Sequence, residues 1–380
     1  MNRTVRLAAV GSLAITAVAV VPGTAFAATQ AAGHYPGQTG AVFVQTDAVS
    51  GNAVAVYDRA ADGTLRAAGT YQTGGLGGIL DGSAVDHLAS QGSLVYDREH
   101  GLLYAVNAGS DTVTVFSVYG DRLVRRQVIS SGGAFPVSVA LHGNLVYVLN
   151  ARDGGSVQGF LRIGATLVRI PAWNRPLSLD PTLTPEFTHT PGQVAFTPDG
   201  SKLIVTTKAN GNDIDVFALG FSGSPSATPV VTADPGNLPF GITFDTGGHL
   251  VVAEAGDNAV ATYTVNPDGT LTLASRAATG QKATCWIARD GSLFYASNAG
   301  SGTLSSYADQ GSGTLQPLGT TATDAGTTDA TSSADSAYLY AETGANGIVD
   351  EFRVGSGGSL TEIGSVTVPG AAGAEGIAAS

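Results

Sequence analysis

Cysteine is all but missing: Cys285 is the only one among 380 residues. A single thiol closes no intramolecular disulfide and builds no multi-cysteine zinc cluster, so stability must come from an apolar core. Charge is scarce as well, at 13% of residues, and what there is leans acidic, 30 Asp and Glu against 18 Lys and Arg for a formal charge of −12. Such a surface repels phosphate backbones and anionic headgroups, which argues against nucleic acid and membrane surfaces as partners. Helical periodicity is lacking too. No long stretch of Leu, Glu, Lys or Ala recurs at helical spacing, and beyond the N-terminus no apolar run approaches the ~18 residues a membrane span needs.

What is plentiful is glycine, 52 residues of it, with Val, Thr, Ser and Ala. That is the composition of one large all-β domain. The N-terminus reads separately. Arg3 and Arg6 precede an apolar run over 7–21, followed by Ala25-Phe26-Ala27, a small-x-small cleavage pattern. Residues 1–27 are therefore expected to be a signal peptide, 28–39 a flexible mature N-terminus, and 40–380 the folded domain of a secreted protein. An uncleaved anchor is the alternative. Cleavage removes two arginines and takes the charge to −12 − 2 = −14.

A motif recurs throughout. The stretch LYAVNAGSDTVTVF, ending at Phe116, returns as FYASNAGSGTLSSY, ending at Tyr307. Taking the residue that ends its first strand, the equivalents are Thr46, Asn107, Asn150, Lys208, Glu254, Asn298 and Thr343. From Asn107 onward the steps are 43, 58, 46, 44 and 45 residues. Each is followed by a turn and an alternating strand that closes on an aromatic, Tyr57, Phe116, Phe160, Phe217, Tyr263, Tyr307 or Phe352. Four short strands per ~45 residues is the signature of a propeller blade. The spacing predicts a seven-bladed β-propeller, with a pair of β-sandwiches as the alternative. The first unit lacks an inner strand, and the tail AEGIAAS supplies one, so the C-terminal strand is expected to complete blade one and remove a free sheet edge.

In such a blade the turn between first and second strands lies on one face, and the end of the second strand shares the other face with the blade entry. His100, His142 and His249, with Asp97, Asp199, Asp245, Asp290 and Asp335, fall in the first kind of turn and read as turn formers. The entry side keeps His34, His87, His189, Lys208, Glu254, Asp329 and Glu375. No histidine pair has metal-ligand spacing, and no metal or cofactor is expected. Lys208 and Glu254 take equivalent positions in adjacent blades: an ion pair, or a base and an electrostatic stabiliser for a lactone carbonyl. Cys285-Trp286 reads as a packed thiol and ring near the axis. The stretch TGGLGG, beginning at Thr73, reads as a flexible linker. Two long connections, 72–92 and the proline-bearing 171–191, are either functional covers or excursions.

These motifs carry a family resemblance. GQVAFTPDGSKLIVT, LYAVNAGSDTVTVF, TGQKATCW and FRVGSGGSLTEIGSVTVPGAAG resemble the lactonase-type seven-bladed propellers, 6-phosphogluconolactonase-like and carboxymuconate-cyclase-like, in their exported branch. The resemblance runs from about Gly40 to the C-terminus. It implies hydrolysis of a sugar-derived lactone or a related small organic acid. The family's catalytic members open an inner strand with Gly-Pro-Arg-His and close the second strand with Asn-Glu. Here the matching stretches read Thr190-Pro191-Gly192-Gln193 and Lys208-Ala209, so the motif is not retained. On that footing the candidate catalytic residues are Glu254, Lys208 and His189. The candidate ligand-binding residues are Asn107, Asn150, Gln193, Asn298 and Glu375. The alternative is a non-catalytic monomer that binds a small molecule or a protein at the channel mouth.

Overall fold

The structure, a computed structural model, describes residues 40–380; the expected signal peptide, the mature N-terminus and His34 lie outside the described residues. Seven antiparallel sheets of four strands each follow one another around a ring. Each sheet runs outward in chain order, except the first, where the C-terminal strand Ile377–Ala379 is innermost. Val42, Phe43 and Val44 pair there with Ala379, Ala378 and Ile377. Ser380 fastens the joint from both sides, its N–H donating to Ala41 O and its Oγ accepting from Ala41 N at 2.7 Å. The expected closure is therefore present, and the first and last strands of the described chain share one blade.

The core follows from the period-2 pattern. Second strands are buried almost throughout, as in Leu102–Asn107 and Leu293–Asn298, because both sheet faces pack on neighbouring blades. The recurring aromatics are all buried. Phe116 faces Leu103, Phe160 faces Val146 and Tyr307 faces Phe294, the same register in each blade. Just before five of the seven aromatics the pairing to the outer strand slips by one residue; in blade three it slips by three, and blade four pairs its shorter outer strand without a slip. Such bulges sharpen the local twist and help wedge-shaped blades close a ring. Tyrosine hydroxyls stitch blade to blade: Tyr147 donates to Gly223 O and Tyr340 to Gly63 O.

Two long connections leave this regular plan. The outer strand of blade three runs over Thr166–Pro176, so the second connection starts only after Pro176, later than the prolines suggest. The first connects Gln72 to Leu94. Its TGGLGG stretch is packed flush rather than flexible. A Cβ on Gly75 would meet the Asn107 side chain at 2.4 Å, and one on Gly77 would meet Asp47 O at 1.9 Å. Glycine is there because the backbone lies against its neighbours.

Candidate functional site

The connection over 73–93 crosses the entry face. His87 N donates to Gly373 O, Ser90 Oγ to Val137 O, and Gln91 N to Gly192 O. On the far side Gln91 brackets Ile287, Oε1 accepting its N–H and Nε2 donating to its carbonyl, while the Trp286 indole N–H donates to Ser90 O at 2.6 Å. The segment thus ties blades three, four and six to the C-terminal segment and covers the channel mouth. Asp86 shapes it by accepting the N–H groups of Leu88, Ala89 and Ser90 at 2.8–2.9 Å.

Lys208 holds this cover from below, and its register corrects the sequence reading. Thr206 faces Ile214, and Thr207 N donates to Asp213 O as Thr46 N does to Ala53 O. Thr207 is the true equivalent of Glu254. Lys208 comes one residue later with φ of 53°. It opens the short helical turn Lys208–Gly211, past the end of the strand Lys202–Thr206. Its Nζ donates to Ala89 O and Phe187 O, both at 2.6 Å, and to Thr190 Oγ1 at 3.0 Å, so it clamps the two long connections together. Burial pulls its pKa down to about 7, against the attraction of Asp86, whose own pKa burial raises to about 6 despite its three N–H donors.

Glu254 is elsewhere. It bonds Arg276 on the outer strand of its own blade, Nε to Oε2 at 2.6 Å, and accepts the Tyr263 hydroxyl at 2.8 Å. Burial lifts it to about 7, partly opposed by those bonds. Neither the ion pair nor the base and stabiliser read for Lys208 and Glu254 is formed, because Arg276 answers the carboxylate and Lys208 is bonded to Ala89, Phe187 and Thr190. Arg276→Ala should strip Glu254 of its cation and cost about 2–4 kcal/mol at pH 8, where the carboxyl must ionise, and clearly less at pH 5, where it stays protonated. Urea unfolding at the two pH values reads this directly; an equal loss at both would mean the charge is not what matters.

The asparagines are committed to their turns. Asn107 donates to Thr112 and Thr114 hydroxyls and accepts from Asn52, Asn150 donates to Ser156, and Asn298 bonds Thr284, Thr303 and Ser305. All three are fully buried, as second-strand residues wedged between blades must be. Gln193 bridges blades four and five through Oε1 to Ile242 N at 2.6 Å. Asn150 Oδ1 is buried without a hydrogen-bond partner among the described residues. Four of the five turn aspartates accept nearby backbone N–H groups as expected, Asp245 from Gly247 and His249 for example, whereas Asp290 accepts the Ser336 hydroxyl of the next blade.

Glu375 belongs to a feature the sequence does not reveal. Asp47, Asp86, Asp329, Glu342 and Glu375 form a fully buried group of carboxyls where the C-terminal segment meets the cover. Asp47 accepts Glu375 N, Glu342 accepts Gly376 N, and Glu375 accepts Gly92 N at 3.0 Å and the Ser90 hydroxyl. Asp329 also shares a hydrogen bond with Glu375. Burial raises Asp47 and Asp329 to about 7 and Glu342 and Glu375 well above the carboxylate range, and mutual repulsion adds to it. No trio of His, Cys, Asp or Glu among the described residues is arranged to hold a metal ion. Asp47, Asp86 and Glu342 went unnoticed in the sequence because they come from three separate turns and strands with no common spacing.

His189 sits apart from these groups. It follows the 3-10 turn Glu186–Thr188 and lines a cleft of about 160 Å³ with Arg152, Asp153, Asp180, Thr190 and Asn210. Its Nδ1 lies 2.9 Å from Pro185 O, and its Nε2 has no hydrogen-bond partner among the described residues. Arg152 pairs with Glu186, Nε to Oε1 at 2.7 Å, yet its side chain stays 41% exposed. Asn210 braces the wall by donating to Asp180 O and His189 O. Of the three catalytic candidates only His189 borders open space. Lys208 and Glu254 are buried and already bonded.

Comparison with family models and with curated proteins finds no match. Solved structures do resemble the chain. A periplasmic gluconolactonase from Pseudomonas aeruginosa superposes with a TM-score of 0.71 at 16% identity over 90% of this chain and 98% of that one. A 6-phosphogluconolactonase candidate from Bacteroides uniformis gives 0.70 at 18% identity, covering 91% and 100%. A Lactobacillus plantarum protein gives 0.71 at 18% identity, covering 90% and 99%. What these share with the chain is its fold, a seven-bladed β-propeller.

Proposed function

We propose that this protein is an exported small-molecule-binding propeller that takes a sugar-derived lactone, or the hydroxy acid it opens to, in the entry-face cleft of His189, Arg152 and Asn210. The observation that carries the reading is the cleft itself: a polar recess lined by His189, whose Nε2 has no partner among the described residues, and by the part-exposed Arg152. A guanidinium suits a carbonyl or carboxylate oxygen, and Asp153 and Asp180 suit sugar hydroxyls. The gluconolactonase among the similar folds fits that ligand class.

Hydrolysis is the second reading, and one feature favours it. With the proton on Nδ1 donated to Pro185 O, Nε2 is left as an acceptor. It would take a proton from water as the oxygen adds to the lactone carbonyl. The tetrahedral oxyanion then collapses, the ring C–O bond breaks, and the leaving alkoxide recovers the proton from the imidazolium. The motif of the family's catalytic members is absent, so binding leads.

The test is the mature protein with glucono-δ-lactone and gluconate, beside His189→Ala. Binding without turnover, weakened about tenfold in the variant, is the expected result. Turnover that drops about a hundredfold in the variant would instead make His189 the base. No thermal stabilisation by either compound at millimolar concentration would remove the cleft from consideration.

A further inference from the structure

Behind the 3-10 turn that carries Glu186 and His189 lies a different space. Phe187, on the opposite side of that turn from the polar cleft, faces a cavity of about 160 Å³ walled by Val85, Phe240, Ala283, Trp286 and Ala299. We infer that this cavity is a second binding site, for an uncharged apolar ring about the size of benzene. The inference stands independently of the sugar-acid cleft.

Three observations specify the ligand. The first is size and lining. Cavities of about 150 Å³ with apolar walls stay dry and take up benzene-sized guests. Here three aromatic rings contribute, and Phe240 and Trp286 meet at 5.0 Å between centroids, tilted by 60°. Tilted rings leave a slot for a third flat ring.

The second is that the polar groups at the wall are already satisfied. The Trp286 indole N–H is given to Ser90 O, which also fixes the ring's orientation. Both Asp86 oxygens accept backbone N–H groups, and the Lys208 ammonium beneath Phe240 has three acceptors. A ligand with its own buried donor or acceptor would find no partner and would lose affinity. Third, the wall offers an anion no free donor, since the Lys208 ammonium and the Trp286 N–H are already given away, and the carboxyl at the wall is that of Asp86. The carboxylates proposed for the polar cleft are therefore refused here.

Access exists, because Gly82 and Ala84 at the rim are exposed and Ala299 is half-buried. Cys285 lines the cavity as the chain's single thiol, and burial pushes it up to about 12, so it reacts slowly and serves as a reporter rather than a nucleophile.

Toluene and ethylbenzene are the probes, with benzoate and gluconate as charged controls. Expected is saturable thermal stabilisation by the neutral rings, with a change in tryptophan fluorescence that disappears in Trp286→Phe. Cys285 labelling by a methanethiosulfonate should slow about tenfold at a toluene concentration ten times its dissociation constant. Ala299→Leu fills the cavity and should abolish the stabilisation by toluene while leaving gluconate binding untouched, which separates this site from the cleft. The Cys285 protection is read on the unaltered chain, so it decides the matter even if Ala299→Leu does not fold. Unprotected Cys285 under saturating toluene, equal binding of benzoate, or undiminished toluene binding by folded Ala299→Leu would each overturn the inference.

Discussion

Replacing Lys208 with methionine is expected to lower folding stability by about 3–5 kcal/mol. Methionine nearly matches the volume, so the loss is not a cavity effect. What disappears is the donor to Ala89 O and Phe187 O, two carbonyls from two different connections, and the cation facing Asp86. Both carbonyls would be stranded without water, and each stranded group costs about 1–3 kcal/mol. The two connections also meet without the lysine, through Asp81 N to Glu186 Oε2 at 2.8 Å and Phe187 N to Asp81 O. The damage should therefore begin locally, as protease cleavage within 81–92 before global unfolding. Urea midpoints with limited proteolysis measure both parts. A loss below about 1 kcal/mol would show that the ammonium is not what holds the cover down.

Stability should fall as pH rises from about 4 to 7, the reverse of ordinary acid denaturation. Asp47 and Asp329 titrate near 7 and Asp86 near 6 in the folded chain, whereas unfolded carboxyls titrate near 4. Between those values the native state binds more protons than the unfolded one, so each step up in pH favours unfolding. Asp47 alone, carried from 3.8 to about 7, represents on the order of 4 kcal/mol, and the shared protons of the group keep such figures from adding. Lys208 works the other way: lowered to about 7 in the fold, it favours the native state as pH rises above that point. The expected profile is a maximum near pH 4, a fall to about pH 7, and a levelling beyond it. Glu342→Gln supplies a neutral side chain that still accepts from Gly376 N. It should raise stability at pH 8 by about 1–3 kcal/mol and flatten the slope. A urea midpoint that climbs between pH 5 and pH 8 would contradict the buried-acid account, as would a Glu342→Gln variant no more stable than the parent.

The sequence by itself determined the ring. Alternation at period two, the aromatic at one fixed register and the ~45-residue spacing are local and repeated seven times, so neighbouring copies check each other. The closing strand was legible for the same reason, since AEGIAAS repeats the inner-strand pattern and blade one lacked one. The repeat also identified the asparagines as turn residues, which their bonds to Thr112, Ser156 and Thr303 bear out.

What only the tertiary structure decided lies where the repeat breaks. In blade four the turn after the second strand is one residue longer than in blade two, five residues between Thr207 and Asp213 against four between Asn107 and Thr112, and this hid the register and put Lys208 past the strand end. Glu254 found Arg276 on its own blade, a partner 22 residues away that no motif marks. The buried carboxyls come together from Asp47, Asp86, Asp329, Glu342 and Glu375, nearly the whole length of the domain apart. Repeats fix what each blade does within itself. Contacts across the channel mouth depend on how two irregular connections fold over it, and their sequences carry no period from which that path could be read.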